Sequence, residues 1–83
     1  MREQDIKLLI EQNIPGSMVK IAGDGTHFEA TIVSSVFSGK TAVQQHQIVY
    51  QALGDKVGGE IHALSLQTYT PDEWERKKDL RVL

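Results

Sequence analysis

The chain contains no cysteine. This absence excludes disulfide bonds, thiolate nucleophiles and any metal centre that the chain would build from its own thiolates. It fits a reducing compartment, and a cytoplasmic location is the expectation. No apolar run is longer than three residues. The sequence therefore predicts neither a signal peptide nor a membrane-spanning segment.

Neither sign of charge dominates. Nine Lys and Arg against eleven Asp and Glu give a net charge of −2, whereas nucleic-acid-binding domains are usually strongly basic. The candidates for nucleic-acid contact are four residues near the C-terminus: Arg76, Lys77, Lys78 and Arg81. Four acidic residues share residues 72–83, which are therefore neutral overall. A solvated amphipathic segment is the simpler interpretation of this cluster.

The sequence also lacks the motifs of common enzymes. Its serines form no Gly-x-Ser-x-Gly elbow, and Gly23-Asp24-Gly25 is too short for a phosphate-binding loop. The remaining acidic residues are scattered across turns and helix ends. We therefore expect a protein that is not an enzyme.

Hydrophobic periodicity and turn residues divide the chain into six elements within one domain. The domain spans residues 1–83, with a core at about 3–80 and a flexible tail at 79–83. Its length of 83 residues leaves no room for a second domain. The predicted order is α-β-β-α-β-α: helix 3–13, strand 17–22, strand 27–36, helix 41–53, strand 61–69 and helix 71–78.

Two histidines stand at the predicted starts of strands. His27 follows a glycine-rich turn at the start of the second strand, and His62 lies at the start of the third. If the third strand pairs beside the second, the intervening helix makes the two strands parallel, and both histidines lie at one end of the sheet. If the third strand pairs only with the first, the ends still match but the lateral distance changes. Neutral imidazole is the only side chain here suited to binding a transition metal.

Two other side chains have simpler interpretations. His46 lies on the inner stripe of the second helix, formed with Ala42, Val49, Tyr50 and Leu53, where packing is the expected role. Trp74 follows a capping box formed by Thr70 and Glu73 at the start of the last helix, and we expect it to pack against the sheet.

Several segments together resemble the BolA family. They are Gly23-Asp24-Gly25-Thr26-His27-Phe28, Phe37-Ser38-Gly39-Lys40, Val49-Tyr50, Ile61-His62-Ala63-Leu64-Ser65-Leu66 and Tyr69-Thr70-Pro71-Asp72-Glu73-Trp74. The first of them is similar to the IbaG-like bacterial branch. The resemblance covers roughly residues 3–80, and the joint occurrence of the segments makes it specific.

The resemblance implies an α+β fold: an αββαβα, class II KH-like domain with a three-stranded mixed sheet packed against helices. It also implies a heterodimer with a monothiol glutaredoxin and a role in iron–sulfur trafficking and in iron and stress homeostasis. The two proteins would share a glutathione-dependent 2Fe–2S cluster, with His62 and His27 as its ligands from this chain. The isolated protein would be a monomer with no cofactor.

An alternative function is nucleic-acid binding, as a transcriptional regulator of the stress response on the KH-like scaffold. Many family members carry basic residues on both sides of the second-helix histidine. Here those positions are Gln45 and Gln47. We therefore rank DNA binding second.

Overall fold

A computed structural model describes residues 2–24, 27–57 and 63–82, the last five of them for the backbone alone. Two single turns of 3-10 helix, Ser35–Phe37 and Gly54–Lys56, flank the second α-helix. Over the described ranges, three helices and a three-stranded mixed sheet confirm the predicted α+β class. The elements are α1 (Glu3–Asn13), β1 (Met18–Gly23), β2 (His27–Val33), α2 (Ala42–Leu53), β3 (Ala63–Tyr69) and α3 (Pro71–Val82).

The strand order is β1-β2-β3. β1 and β2 form an antiparallel hairpin, and β3 lies beside β2 in parallel. Of the two arrangements left open by the sequence, the one with β3 beside β2 is therefore confirmed. The connection through α2 returns the chain to the end of the sheet where β2 begins.

The hydrophobic core lies between one face of the sheet and the helices α1 and α2. Alternate residues of β2 point into it, as the period of two predicts. Burial of each large apolar side chain contributes about 1.5–3 kcal/mol. The core members are Ile6, Ile10, Ile14, Val19, Phe28, Ala30, Ile32, Phe37, Val49 and Leu53, each at most 4% exposed.

α3 contacts the opposite face of the sheet through Trp74. Trp74 is 8% exposed, its ring lies 5.5 Å from that of Tyr69, and the Lys20 ammonium lies 5.1 Å from its ring centre. The prediction that Trp74 packs against the sheet is thus confirmed. Tyr69 ends β3, and its register partner Val33 ends β2. The tryptophan therefore marks one end of this outer face.

The inward face of α2 differs from the prediction. Ala42 and Tyr50 are exposed, whereas Gln45 is buried together with Val49 and Leu53. These three residues are spaced by four, so the inward stripe is rotated from the predicted one. The sequence pattern placed a glutamine outside because its amide is polar, but the folded chain surrounds this amide with hydrogen-bond partners.

Hydrogen bonds of Gln45 join the β2–α2 connection to β3. Its amide nitrogen donates to the backbone oxygens of Phe37 (3.1 Å) and Lys40 (3.0 Å). Its amide oxygen accepts from the Thr68 hydroxyl at 2.6 Å. These bonds give Gln45 a structural role in this chain. Gln47, in contrast, is exposed.

Two predicted element bounds also change by several residues. β2 ends at Val33 rather than Val36, because the Ser34 hydroxyl accepts the N–H of Val36 (3.2 Å) and starts a 3-10 turn that buries Phe37. α3 continues to Val82 instead of ending at Lys78, so the backbone is helical over residues 79–82, where a tail was expected. No glycine or proline follows Pro71 to stop the helix. The predicted start of β3 at residues 61–62 lies outside the described residues.

Candidate metal-binding site

His27 is held at the start of β2 by the turn that precedes it. The Asp24 carboxylate accepts the backbone N–H of His27 at 2.8 Å, and the Asp24 N–H donates to the His27 carbonyl at 3.2 Å. The Asp24 side-chain oxygen thus accepts the N–H of the residue three positions further on. Aspartate side chains commonly bond to the backbone in turns. The two bonds fix where β2 begins.

The imidazole of His27 lies on the outer face of the sheet and is open to solvent. Alternation along β2 puts it on the side of Glu29 and Thr31, opposite the core residue Phe28. Its side chain is 75% exposed, and Nδ1 lies 3.8 Å from Oδ2 of Asp24. Such an exposed contact contributes little to stability.

The sheet register brings the start of β3 beside His27. Ala63 is the register partner of His27, and Ala63 follows His62 directly in the sequence. The parallel pairing and the matched strand starts were both expected from the sequence. His62 itself lies outside the described residues.

The donor atoms at this end of the sheet suit a shared metal centre. Among residues 2–24, 27–57 and 63–82, no group of three or more His, Asp or Glu side chains could hold a metal ion. The chain has no thiolate to offer a metal, and histidine is the side chain that can offer a nitrogen. Histidine ligates iron in some 2Fe–2S centres, and the remaining ligands of those centres are thiolates. The residues present therefore fit a cluster whose thiolates come from another molecule.

His46 is separate from this site. It lies on α2, whose inward residues belong to the core on the other face of the sheet. Its side chain is half-buried, in agreement with the predicted packing role.

Two of the four basic candidates for nucleic-acid contact have local partners. The Arg76 guanidinium lies 3.7 Å from the Asp72 carboxylate. The Lys77 ammonium donates to the Tyr69 hydroxyl at 2.7 Å and lies 4.9 Å from its ring centre. The side chains of Lys78 and Arg81 are outside the described part of the chain. The positive groups of Arg76 and Lys77 thus already interact with other residues of the domain.

A groove of about 530 Å³ opens between the β2–α2 connection and the start of α3. Lys40 and Arg76 line it, together with the acidic residues Asp72 and Glu73. The N–H of Thr70 donates to Glu73 at 2.8 Å, and its hydroxyl accepts the Glu73 N–H at 3.2 Å, which confirms the capping box. Both bonds lower the pKa of the Glu73 carboxyl below its ordinary value, and the bond from the Thr70 backbone has the larger effect. The groove therefore has mixed charge.

The groove and His27 lie at opposite ends of the sheet. The groove adjoins the end where Val33 pairs with Tyr69, and His27 pairs with Ala63 at the other end. Six steps along β2 separate the two ends, a distance of about 20 Å.

Within the described residues, no helix has the length and apolar character needed to cross a membrane.

The fold and the site together define a small α+β domain that presents a histidine at the end of a mixed sheet. The BolA family, described as BolA-like protein, matches residues 8–73. The chain belongs to this family. A solved BolA protein homologue from Coxiella burnetii is 49% identical and superposes with a TM-score of 0.84, covering 92% of this chain and 99% of that one.

Two curated relatives show how much of the chain is shared. The acid stress protein IbaG of Escherichia coli is 33% identical over 81 residues, which are 96% of each chain. BolA-like protein 1 of Mus musculus is 37% identical over 71 residues, 86% of this chain and 52% of the mouse protein. The chain thus spans about half the length of the mouse relative.

Sequence reasoning found His27 but gave Asp24 only a turn role. The available signal was the aspartate in the turn itself, since aspartate side chains in turns commonly accept nearby backbone N–H groups. Gln45 was missed as a buried residue, because a polar amide is expected to face solvent and its partner Thr68 is distant in sequence.

Proposed function

We propose that this protein is a partner of monothiol glutaredoxins that shares a glutathione-dependent 2Fe–2S cluster, in iron–sulfur trafficking and in iron and stress homeostasis. Membership of the BolA-like family supports the proposal. So does the name of the IbaG relative, an acid stress protein. The observation that carries it is the exposed imidazole of His27 in register with Ala63, the residue that follows His62.

The proposed roles follow from the donor chemistry of the chain. His27 and His62 would each supply an imidazole nitrogen, and the glutaredoxin cysteine and glutathione would supply the thiolates. An iron with histidine ligands has a higher reduction potential than one with thiolates alone. Ligation requires neutral imidazole, so acid that protonates the histidines would weaken the shared complex. The chain would act as a binding partner in the cytoplasm, monomeric and without a cofactor when alone.

The test is reconstitution with a monothiol glutaredoxin, iron, sulfide and glutathione. We expect a heterodimer whose visible absorption and circular dichroism differ from those of the glutaredoxin cluster homodimer. In the His27→Ala and His62→Ala variants this difference should shrink, and in the double variant it should vanish. His46→Gln is the matched control, because it removes a histidine from the other face of the sheet.

A spectrum identical to that of the homodimer, with no complex by size, would refute the proposal. In that case the same preparations would be tested on duplex DNA at low salt. A phosphate-dominated interaction weakens steeply as salt rises, so a salt-sensitive mobility shift would make DNA binding the leading function.

A further inference from the structure

The turn before His27 places both oxygens of one carboxylate near this residue. Oδ1 of Asp24 accepts the His27 backbone N–H at 2.8 Å, and Oδ2 lies 3.8 Å from the His27 ring atom Nδ1. We propose that Asp24 is a positioning residue that keeps the proton of the neutral imidazole on Nδ1 and so presents Nε2 to a metal. This inference rests on the proposed function, because it concerns His27 as a ligand.

The chemistry of neutral imidazole makes the position of its proton decisive. One ring nitrogen carries the proton, and only the other has a lone pair for a metal. A carboxylate beside a ring nitrogen favours the proton on that nitrogen, which fixes the tautomer and makes the opposite nitrogen more basic. At His27 the carboxylate oxygen lies 3.8 Å from Nδ1, and a small side-chain movement that closes this distance to a hydrogen bond selects Nε2 for the metal.

The backbone holds the two residues in place for this role. The Asp24 N–H donates to the His27 carbonyl at 3.2 Å, so main-chain and side-chain bonds both join the pair. The carboxylate is therefore positioned before any metal arrives, although both side chains are about 70% exposed or more. These bonds hold the backbone and the carboxylate, and Oδ2 lies on the Nδ1 side of the ring.

The bond to the His27 N–H requires an oxygen acceptor at position 24 but not a charge. Asparagine at this position would also accept the His27 N–H and is equally suited to turns. It would offer a neutral amide group where Oδ2 now stands. Asp24→Asn thus keeps the turn and removes the proposed function of the carboxylate.

The matched control is Glu29→Gln. Glu29 is exposed and lies two residues along β2 on the same face of the sheet as His27. This variant removes the same charge from the same surface and leaves the turn intact. A general change in surface potential would affect both variants alike, whereas the proposed positioning affects Asp24→Asn alone.

The first measurement is the tautomer of His27 in the isolated protein. Two-bond ¹H–¹⁵N correlation spectra would be recorded at about pH 8.5, roughly two units above the ordinary histidine pKa. The His27 signals are those missing from His27→Ala. We expect the Nδ1–H tautomer to dominate in the wild type and in Glu29→Gln, and to lose population in Asp24→Asn. An unchanged tautomer in Asp24→Asn would overturn the inference, whatever the function of the protein.

The second measurement is the stability of the reconstituted complex with a monothiol glutaredoxin. Loss of the carboxylate beside a metal-binding histidine typically weakens metal binding 10–100-fold, and we expect about 10-fold at this exposed position. If the wild type forms the complex and Asp24→Asn forms it equally well, the inference is wrong and the proposed function stands. If the wild type forms no complex, the proposed function fails, and the tautomer alone decides the role of Asp24.

Discussion

Replacement of Gln45 by alanine tests the hydrogen bonds that hold the β2–α2 connection. The substitution removes the donor to the carbonyls of Phe37 and Lys40 and the acceptor of the Thr68 hydroxyl. Phe37 is fully buried and depends on this connection for its position in the core. The loss should therefore appear as a lower free energy of unfolding of the whole domain.

The size of the effect follows from the burial of the three bonds. Each intramolecular hydrogen bond contributes about 0.5–1.5 kcal/mol, so all three contribute about 1.5–4.5 kcal/mol. The bond to Phe37 is buried, whereas those to Lys40 and Thr68 are only part-buried, and water can replace them in the variant. We therefore expect a loss of about 2–3 kcal/mol, equivalent to a fall in Tm of roughly 10–20 °C for a domain of this size.

Urea unfolding followed by Trp74 fluorescence and by far-UV circular dichroism measures this loss. Thr68→Val removes one of the three bonds and should cost about 1 kcal/mol. Gln47→Ala, an exposed glutamine on the same helix, should change the stability by less than about 0.5 kcal/mol. If Gln45→Ala costs no more than Gln47→Ala, the assigned hydrogen bonds do not stabilise the fold and the reasoning is wrong.

Two further predictions concern α3. Lys77→Met should lower the free energy of unfolding by about 1 kcal/mol, because it removes the ammonium that donates to the Tyr69 hydroxyl and lies over the Tyr69 ring. The measurement is urea unfolding, with the exposed Lys7→Met as control. An equal loss in the control would contradict the prediction. The Thr70 bonds lower the pKa of Glu73 below 4.5. The stability advantage of the wild type over Glu73→Gln should thus be complete above pH 4.5 and decline as pH falls through the lowered pKa. Urea unfolding between pH 7 and pH 3 would show a constant difference if this is wrong.

Local signals in the sequence were sufficient for the order of the elements. The alternation from His27 to Ile32 has a period of two, and the buried residues Phe28, Ala30 and Ile32 follow it. The capping box of Thr70 and Glu73 marks the start of α3 within one residue. These signals depend on neighbours along the chain, so they can be read before the tertiary structure is known.

Signals that depend on distant partners could not be read in this way. Gln45 is inward because Thr68 and the carbonyls of the preceding loop surround its amide, and Thr68 is distant in sequence. β2 ends at Val33 because a 3-10 turn follows it, and in this turn Phe37 is buried whereas Val36 is 43% exposed. Hydrophobicity alone does not distinguish these two residues.

The same distinction between local signals and distant partners applies to the candidate site. The sequence predicted that β2 and β3 begin at the same end of the sheet, and the pairing of His27 with Ala63 confirms the matched starts. That His62 is a ligand stays a prediction. The second contact of Asp24, to the ring of His27, required the geometry of the closed turn.

The arrangement of the outer sheet face decides where a partner can approach His27. Trp74 packs where β2 and β3 end, and the row nearest His27 consists of Ala22, Glu29 and Ser65, all exposed. Two of these three side chains are small, so among the described residues the outer face beside the imidazole carries little bulk, and α3 packs at the other end. The groove beside Arg76 lies about 20 Å away at the opposite end. The candidate metal site and this groove are therefore separate positions on the domain.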